Sequence, residues 1–332
     1  MTSKHLPIFV TDFSTYHSQL SNMIPSSSNP SLQNWFVNEC ILLKCSALFL
    51  YDYSSPEVDV ESTSFLSNPH LLIRDVDINT TYTSIHSAIK ERIQNDHYLY
   101  FCGADDYYLP GKTFFNEVHI NHDGLICGYD DCTETFDIYA YNTNWVCKSL
   151  SIPYKSFEKS LENLILKKSW FGYIKSIKPT TDLVNIDYYR IKYLLTCYLK
   201  KSNYKFAYYH NKYPIIGINV HDYLSKYLEL IKVGLIVYNN LDWRIFRILW
   251  EHKKYMLKRI QIIETNFSLN ADISTQYIDV VNIANNIRLM FARYIQKRDD
   301  NLLDIIISKI AMISAKEEEL LYKTICILDD HI

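Results

Sequence analysis

Apolar positions along this 332-residue chain repeat with two different periods, and the change comes near residue 180. Over 83–94, Ile85, Ile89 and Ile93 recur every fourth residue, which predicts an amphipathic helix. Residues 98–103 form a short unbroken aromatic and aliphatic run of the kind that makes a buried strand. In 135–141, Phe136, Ile138 and Ala140 alternate with Thr135, Asp137 and Tyr139, so one strand face is buried. The stretch 116–126 is also strand-like, and Asp130, Asp131, Cys132, Thr133 and Glu134 supply the turn of a hairpin. Further strands are expected at 144–152 and 173–177, with a short helix over 155–166. Nearer the start, a Ser/Pro/Asn-rich loop at 22–34 leads into a helical segment beginning near Trp35 and carrying Phe36, Ile41, Leu42, Leu43, Ala47 and Leu48. Beyond Thr180 the spacing is helical throughout 186–201, 219–232, 242–264, 274–298 and 300–327. Ile245, Ile248, Leu249, His252, Met256, Ile260 and Ile263 share one stripe. The expected organisation is an α+β domain with an antiparallel sheet over 1–180, followed by an all-α domain over 181–332.

Composition narrows the function classes. At 48% apolar residues the chain can bury two cores, yet its longest apolar run, 41–50, is broken by Lys44, so no transmembrane segment and no membrane partner are expected. Eight scattered cysteines without a CxxC pair, and no basic-then-apolar leader, fit reduced thiols in a cytoplasm. The seven glycines show neither GxGxxG nor a phosphate loop, so no nucleotide cofactor is expected, and no metal. Residues 1–150 hold 7 Lys+Arg against 18 Asp+Glu, net −11, and the rest hold 27 against 19, net +8. That split suggests two regions of opposite surface charge, as solvated faces or as a patch for an asymmetric partner. The basic residues are dispersed along helices, which argues against nucleic acid.

The segment with most chemistry runs from Asp105 to Tyr141. His122 stands at the mouth of the hairpin, where a near-neutral imidazole on a strand end suits general acid–base work in acyl transfer; the alternative is a hydrogen-bonded structural histidine. His119, three residues earlier, projects from the opposite face of a regular strand, so the pair makes a poor chelate. Cys40, placed in the first two turns of its helix, is the best nucleophile candidate, because the positive end of a helix dipole favours thiolate. Glu39 beside it works the other way, and a small buried hydrophobe is the competing role. Glu251, His252 and Lys253 are consecutive and cannot share one helix face; His252 falls on the apolar stripe as a satisfied core residue.

Asp106-x-Tyr108-x-Pro110, His119-x-x-His122-Asp123 and Gly128-Tyr129-Asp130 together resemble the N-terminal domain family of butirosin biosynthesis protein H, whose members often stand beside nonribosomal peptide synthetase genes. Asp242-x-Arg244, Glu251-His252-Lys253, Met256 and Arg259 extend the similarity into the helical half. The resemblance implies a bacterial protein with a papain-like fold of the papain and transglutaminase superfamily. It assigns the general base to His122 and a thiol nucleophile to Cys40. The orienting Asp or Asn belongs sixteen to eighteen residues after His122, where the chain offers Ile138, Tyr139 and Ala140; Asn142 lies just beyond, and Asp137 is a weaker substitute. Asp106, Tyr108 and Asp123 become cleft-lining residues or fold-stabilising ones. The implied activity is aminoacyl transfer from an acyl carrier protein or synthetase module to a small-molecule amine, in natural-product biosynthesis and without a cofactor. A catalytically degenerate assembly factor that binds such a carrier is the second reading, and a cysteine peptidase the third.

Overall fold

The structure, a computed structural model, describes residues 2–8, 29–61, 68–76, 82–144, 146–167, 173–200, 214–267 and 272–332. In chain order its elements are β1 (Ser3–His5), α1 (Gln33–Glu39), β2 (Leu43–Ser46), α2 (Phe49–Asp52), β3 (Val58–Val60), β4 (Leu71–Val76), α3 (Tyr82–Gln94) and β5 (Tyr98–Asp105). There follow β6 (Asn121–Asp130), β7 (Thr135–Tyr141), β8 (Cys147–Pro153), α4 (Tyr154–Lys167) and β9 (Tyr173–Pro179). The remainder is helical apart from one short strand: α5 (Tyr188–Leu199), β10 (Pro214–Ile216), α6 (Val220–Lys232), α7 (Arg244–Asn266), α8 (Ile273–Lys297) and α9 (Asn301–His331). The chain divides into two compact units, 1–33 with 63–184 and 34–62 with 185–332. It is thus an α+β protein with an antiparallel sheet and a C-terminal helical region, but the division is not a single cut at residue 180.

The first unit is built on a sheet in the order β4-β9-β5-β6-β7-β8, with β1 pairing the far end of β6 and every pairing antiparallel. Its central strands are apolar on both faces, as in β5, where Tyr98, Leu99, Tyr100 and Phe101 are all buried. On one face the Phe157 ring of α4 meets Phe101 and Phe136 at 5.3 and 5.5 Å, and Ile85, Ile89 and Ile93 of α3 are buried as their four-residue spacing requires. Each such isoleucine contributes about 1.5–3 kcal/mol by leaving water. Gly124 on β6 is needed here for space: a methyl group at its Cα would lie 2.2 Å from the Phe101 ring.

The second unit packs α5 to α9 with α1 and a small sheet in the order β10-β2-β3. Here the single helix expected from Trp35 through Leu48 is cut short. α1 stops at Glu39, and Leu43–Ser46 is a strand, buried at Leu43, Cys45 and Ser46. A short apolar run flanked by burial on both sides satisfies either geometry, and pairing with β3 and β10 decides it. The C-terminal carbonyls of α1 are met from α7 by the fully buried Arg259, which donates to Val37 O at 2.7 Å, Phe36 O at 3.2 Å and Cys40 O at 3.1 Å. A guanidinium there answers both the orphan carbonyls and the negative end of the helix dipole.

Charge follows the units rather than the halves of the sequence. The acidic stretch 34–62, net −4, belongs to the helical unit and the basic stretch 151–184, net +3, to the sheet unit, so the first unit carries 12 Lys+Arg against 16 Asp+Glu, net −4, and the second 22 against 21, net +1. The contrast of −11 against +8 read across residue 150 thus falls to −4 against +1 between the units. Among the described residues no helix is long and apolar enough to cross a membrane.

Candidate functional site

Asp105 ends strand β5 and Asp106 opens the turn after it, and each takes a histidine. Gly103, at φ +89°, allows the irregularity between Phe101 and Ala104 that shifts the register, so that Ala104 faces His122 and Asp105 faces Asn121 across to β6. The chain then makes a short 3-10 turn, Asp106–Tyr108, capped by the Asp105 carboxylate, which accepts from Tyr107 N at 3.1 Å. Asp106 N donates to Ile120 O at 2.9 Å and clamps the returning segment just before β6 begins. This brings His122 Nδ1 to 2.7 Å from Asp106 Oδ2, and His119 Nδ1 to 2.7 Å from Asp105 Oδ2.

The two pairs differ in their surroundings. The His122 side chain is 22% exposed above an Asp106 side chain that is 2% exposed, and the other carboxylate oxygen, Oδ1, lies 3.2 Å from the buried ammonium of Lys112. Phe114 stacks on the His122 ring at 5.8 Å and 18°. The His119 side chain is 58% exposed and stacks on Tyr107 at 4.2 Å. It precedes β6 rather than lying within the strand, so strand alternation does not govern it. An imidazole held at one nitrogen by a buried carboxylate, with a face packed on an aromatic ring, is fixed in orientation and tautomer, which is the requirement for a positioned acid or base.

The other residues singled out in the sequence fall in distinct places. Asn142 does not meet His122 in the contacts of the described residues. Its Oδ1 accepts from Asn144 N at 3.0 Å and Val146 N at 2.9 Å, making the β7–β8 turn, and its carbonyl accepts from Thr113 Oγ1 at 3.1 Å. Asn142 therefore braces the loop that carries Lys112 and Phe114. Tyr108 packs edge-on against Tyr107, ring centres 5.1 Å apart, and sits 5.8 Å from the His119 ring. Asp123 neighbours His122 along β6 and so points to the other face, where Tyr100 Oη donates to it at 2.5 Å. Burial, with Asp123 close by, pushes the Cys102 thiol up to about 12.

Cys40 lies in the unit that does not contain His122. It follows the last residue of α1, at the negative end of the helix dipole, not in the first two turns. It is 2% exposed, and burial pushes its thiol well above the ordinary range, with the Arg259 charge only partly opposing. Glu39 is engaged by Arg190 through two bonds of 2.9 and 2.6 Å. Cys45, inside β2, is likewise pushed up to about 12 by burial. Both surroundings disfavour thiolate.

A second polar cluster lies wholly inside the helical unit. Glu317 of α9 accepts from Lys253 Nζ at 2.7 Å and Tyr198 Oη at 2.9 Å through Oε2, and from Tyr277 Oη through Oε1. His221 Nε2 stands 3.6 Å from the same Oε2, so helices α5, α6, α7, α8 and α9 each send one polar group to a single buried point. His252 donates from Nε2 to Ile41 O at 2.8 Å and stacks on Tyr198, the satisfied core role read from its place on the apolar stripe. Burial lowers both His221 and His252 well below the usual histidine range, helped by the nearby Lys253 charge.

These two imidazoles are neutral in the fold and take protons in the unfolded chain below about 6.5. Stability is therefore complete above that value and falls as pH drops towards the native values, by about 1.4 kcal/mol per histidine for each pH unit. Urea unfolding at pH 7 and one unit below 6.5 is expected to show the loss. Equal midpoints would contradict the buried, neutral assignment.

Sequence reasoning missed Lys112, Asp106 as the partner of His122, Arg259 as a cap, and Glu317. The signals were present: two aspartates closing a buried strand need partners, and Glu317 sits in step with the buried Ile310, Ile313, Leu320 and Thr324. Comparison with known proteins finds no matching family and no matching curated protein.

Proposed function

We propose that the sheet unit is a papain-like acyl-transfer module in which His122 is the general base, moving an acyl group from a carrier-bound thioester to a small-molecule amine. The observation that carries this reading is the His122–Asp106 pair, an imidazole anchored at Nδ1 on a buried carboxylate so that proton exchange falls to Nε2. The surroundings of Cys40 favour direct transfer over an acyl-enzyme. The amine nitrogen attacks the thioester carbonyl and the C–N bond forms. His122 Nε2 takes the nitrogen's proton, the C–S bond breaks, and the proton passes to the departing thiolate sulfur.

The test is transfer from an acyl pantetheine thioester, or an acyl-loaded carrier protein, to an amine acceptor with the wild type and Cys40→Ala. Direct transfer predicts no acyl adduct on the protein and turnover by Cys40→Ala within about twofold of wild type, because a buried thiol takes no part. An acyl adduct that disappears in Cys40→Ala would overturn the direct route.

A second reading is favoured by the same buried thiol. A site that keeps its histidine but lacks an activated nucleophile can bind a carrier-borne acyl group and organise a pathway without turnover. Binding of a loaded carrier that survives His122→Ala, with no amide product, would select it.

A further inference from the structure

Lys112 is the unexplained member of the site. Its ammonium is buried at 4% exposure beside a carboxylate at 2%, and a buried ion pair is seldom worth more to stability than apolar side chains of the same volume. The contact is also a charge contact more than a directional bond: Asp106 Oδ1 lies 3.2 Å from the Lys112 nitrogen but has no hydrogen bond of acceptable geometry among the described residues. The loop carrying Lys112 is tied down on both sides, by Thr143 N to Gly111 O at 3.1 Å and by Thr113 Oγ1 to Asn142 O at 3.1 Å, so the cation is held where it stands.

We propose that Lys112 is a positioning residue that balances the charge of Asp106, so that His122 keeps a proton on Nδ1 and none on Nε2. This rests on the reading of His122 as a base. Lys112 and Asp106 are opposite charges 3.2 Å apart, one oxygen of the carboxylate being answered by the cation and the other by the His122 imidazole. Without Lys112, the carboxylate is a lone buried anion whose nearest remedy is the imidazole. A second proton on the ring then restores neutrality, and the ring can no longer accept one from a nucleophile. Alternatively the carboxyl takes up a proton, keeps it and donates a hydrogen bond to a bare Nδ1, and the ring's own proton then resides on Nε2. Either response removes the neutral Nδ1–H form that the proposed chemistry uses.

The experiment is long-range proton–nitrogen NMR of the full chain with nitrogen-15-labelled histidine, the His122 ring being assigned by its absence from His122→Ala. Spectra are compared at one mildly alkaline pH for wild type, Lys112→Arg, Lys112→Met and Lys112→Gln, with circular dichroism to establish folding. Wild type and Lys112→Arg are expected to show a ring protonated on Nδ1 and bare at Nε2. Lys112→Met and Lys112→Gln are expected to lose most of that form to the doubly protonated or Nε2–H ring. The glutamine variant keeps a polar N–H donor without the charge, on a side chain one atom shorter, so it decides the matter if the methionine variant does not fold. A folded Lys112→Gln or Lys112→Met ring identical to wild type would overturn the proposal, as would a wild-type ring protonated at Nε2. The readout needs no turnover, so the two failures are told apart: acyl transfer absent with the ring pattern as expected counts against the functional reading, and an unchanged ring in the variants counts against the role of Lys112.

Discussion

Replacing Asp106 with asparagine is expected, under the proposed function, to lower the rate of acyl transfer by about 10³-fold or more, while leaving a folded protein. Asparagine is close to aspartate in shape and can still bond to Nδ1, but its amide can donate as readily as it accepts. The ring is then no longer compelled to keep its proton on Nδ1, and an imidazolium formed during the reaction loses its counter-charge. Lys112 is left as a buried cation facing an amide, which adds a stability cost measurable by thermal unfolding. The pattern this reading predicts is a fall in kcat with little change in KM, because it gives Asp106 a role through His122 and none in holding the substrate. A variant that folds and turns over as the wild type does would show that the pairing has no catalytic consequence.

The second large effect lies in the helical unit. Glu317→Ala is expected to reduce unfolding free energy by about 3–5 kcal/mol, since it strands the buried Lys253 without its anion and leaves Tyr198 and Tyr277 without their acceptor. The cost comes from the charge left behind more than from the bond removed. The double variant Lys253→Met/Glu317→Leu is therefore expected to recover much of the loss, because replacing a whole buried pair with apolar groups is often neutral. Chemical denaturation of the single and double variants checks this, and a double variant no better than the single would contradict it. Acyl transfer should follow the folded fraction only, as no residue of this cluster belongs to the His122 site.

What could be read in the sequence follows from which interactions are local. The helices α3 to α9 lie within a few residues of their expected bounds, because an amphipathic stripe is a local property. Strands β5, β7 and β9 were legible for the same reason. The segment 34–48 was not: whether Leu43–Ser46 is helix or strand depends on β3 and β10, the latter some 170 residues away. That misreading carried Cys40 with it, placing at a helix start a residue that stands after a helix end. His122 is legible as a strand-mouth histidine, but the resemblance places its partner on the following strand. The partner lies instead sixteen residues before it, delivered by a glycine-dependent register shift that no periodicity reveals. The charge asymmetry likewise shrinks to −4 against +1 once 34–62 is counted with the helices and 151–184 with the sheet.

The measurement that bears most directly on the His122 site is the single-turnover rate of amine-dependent thioester loss for the wild type and His122→Ala, with matched folding by circular dichroism. A general base in this position predicts a fall of about 10²–10⁴-fold in His122→Ala. Equal rates in the two proteins, or no rate above the uncatalysed reaction in either, would contradict it.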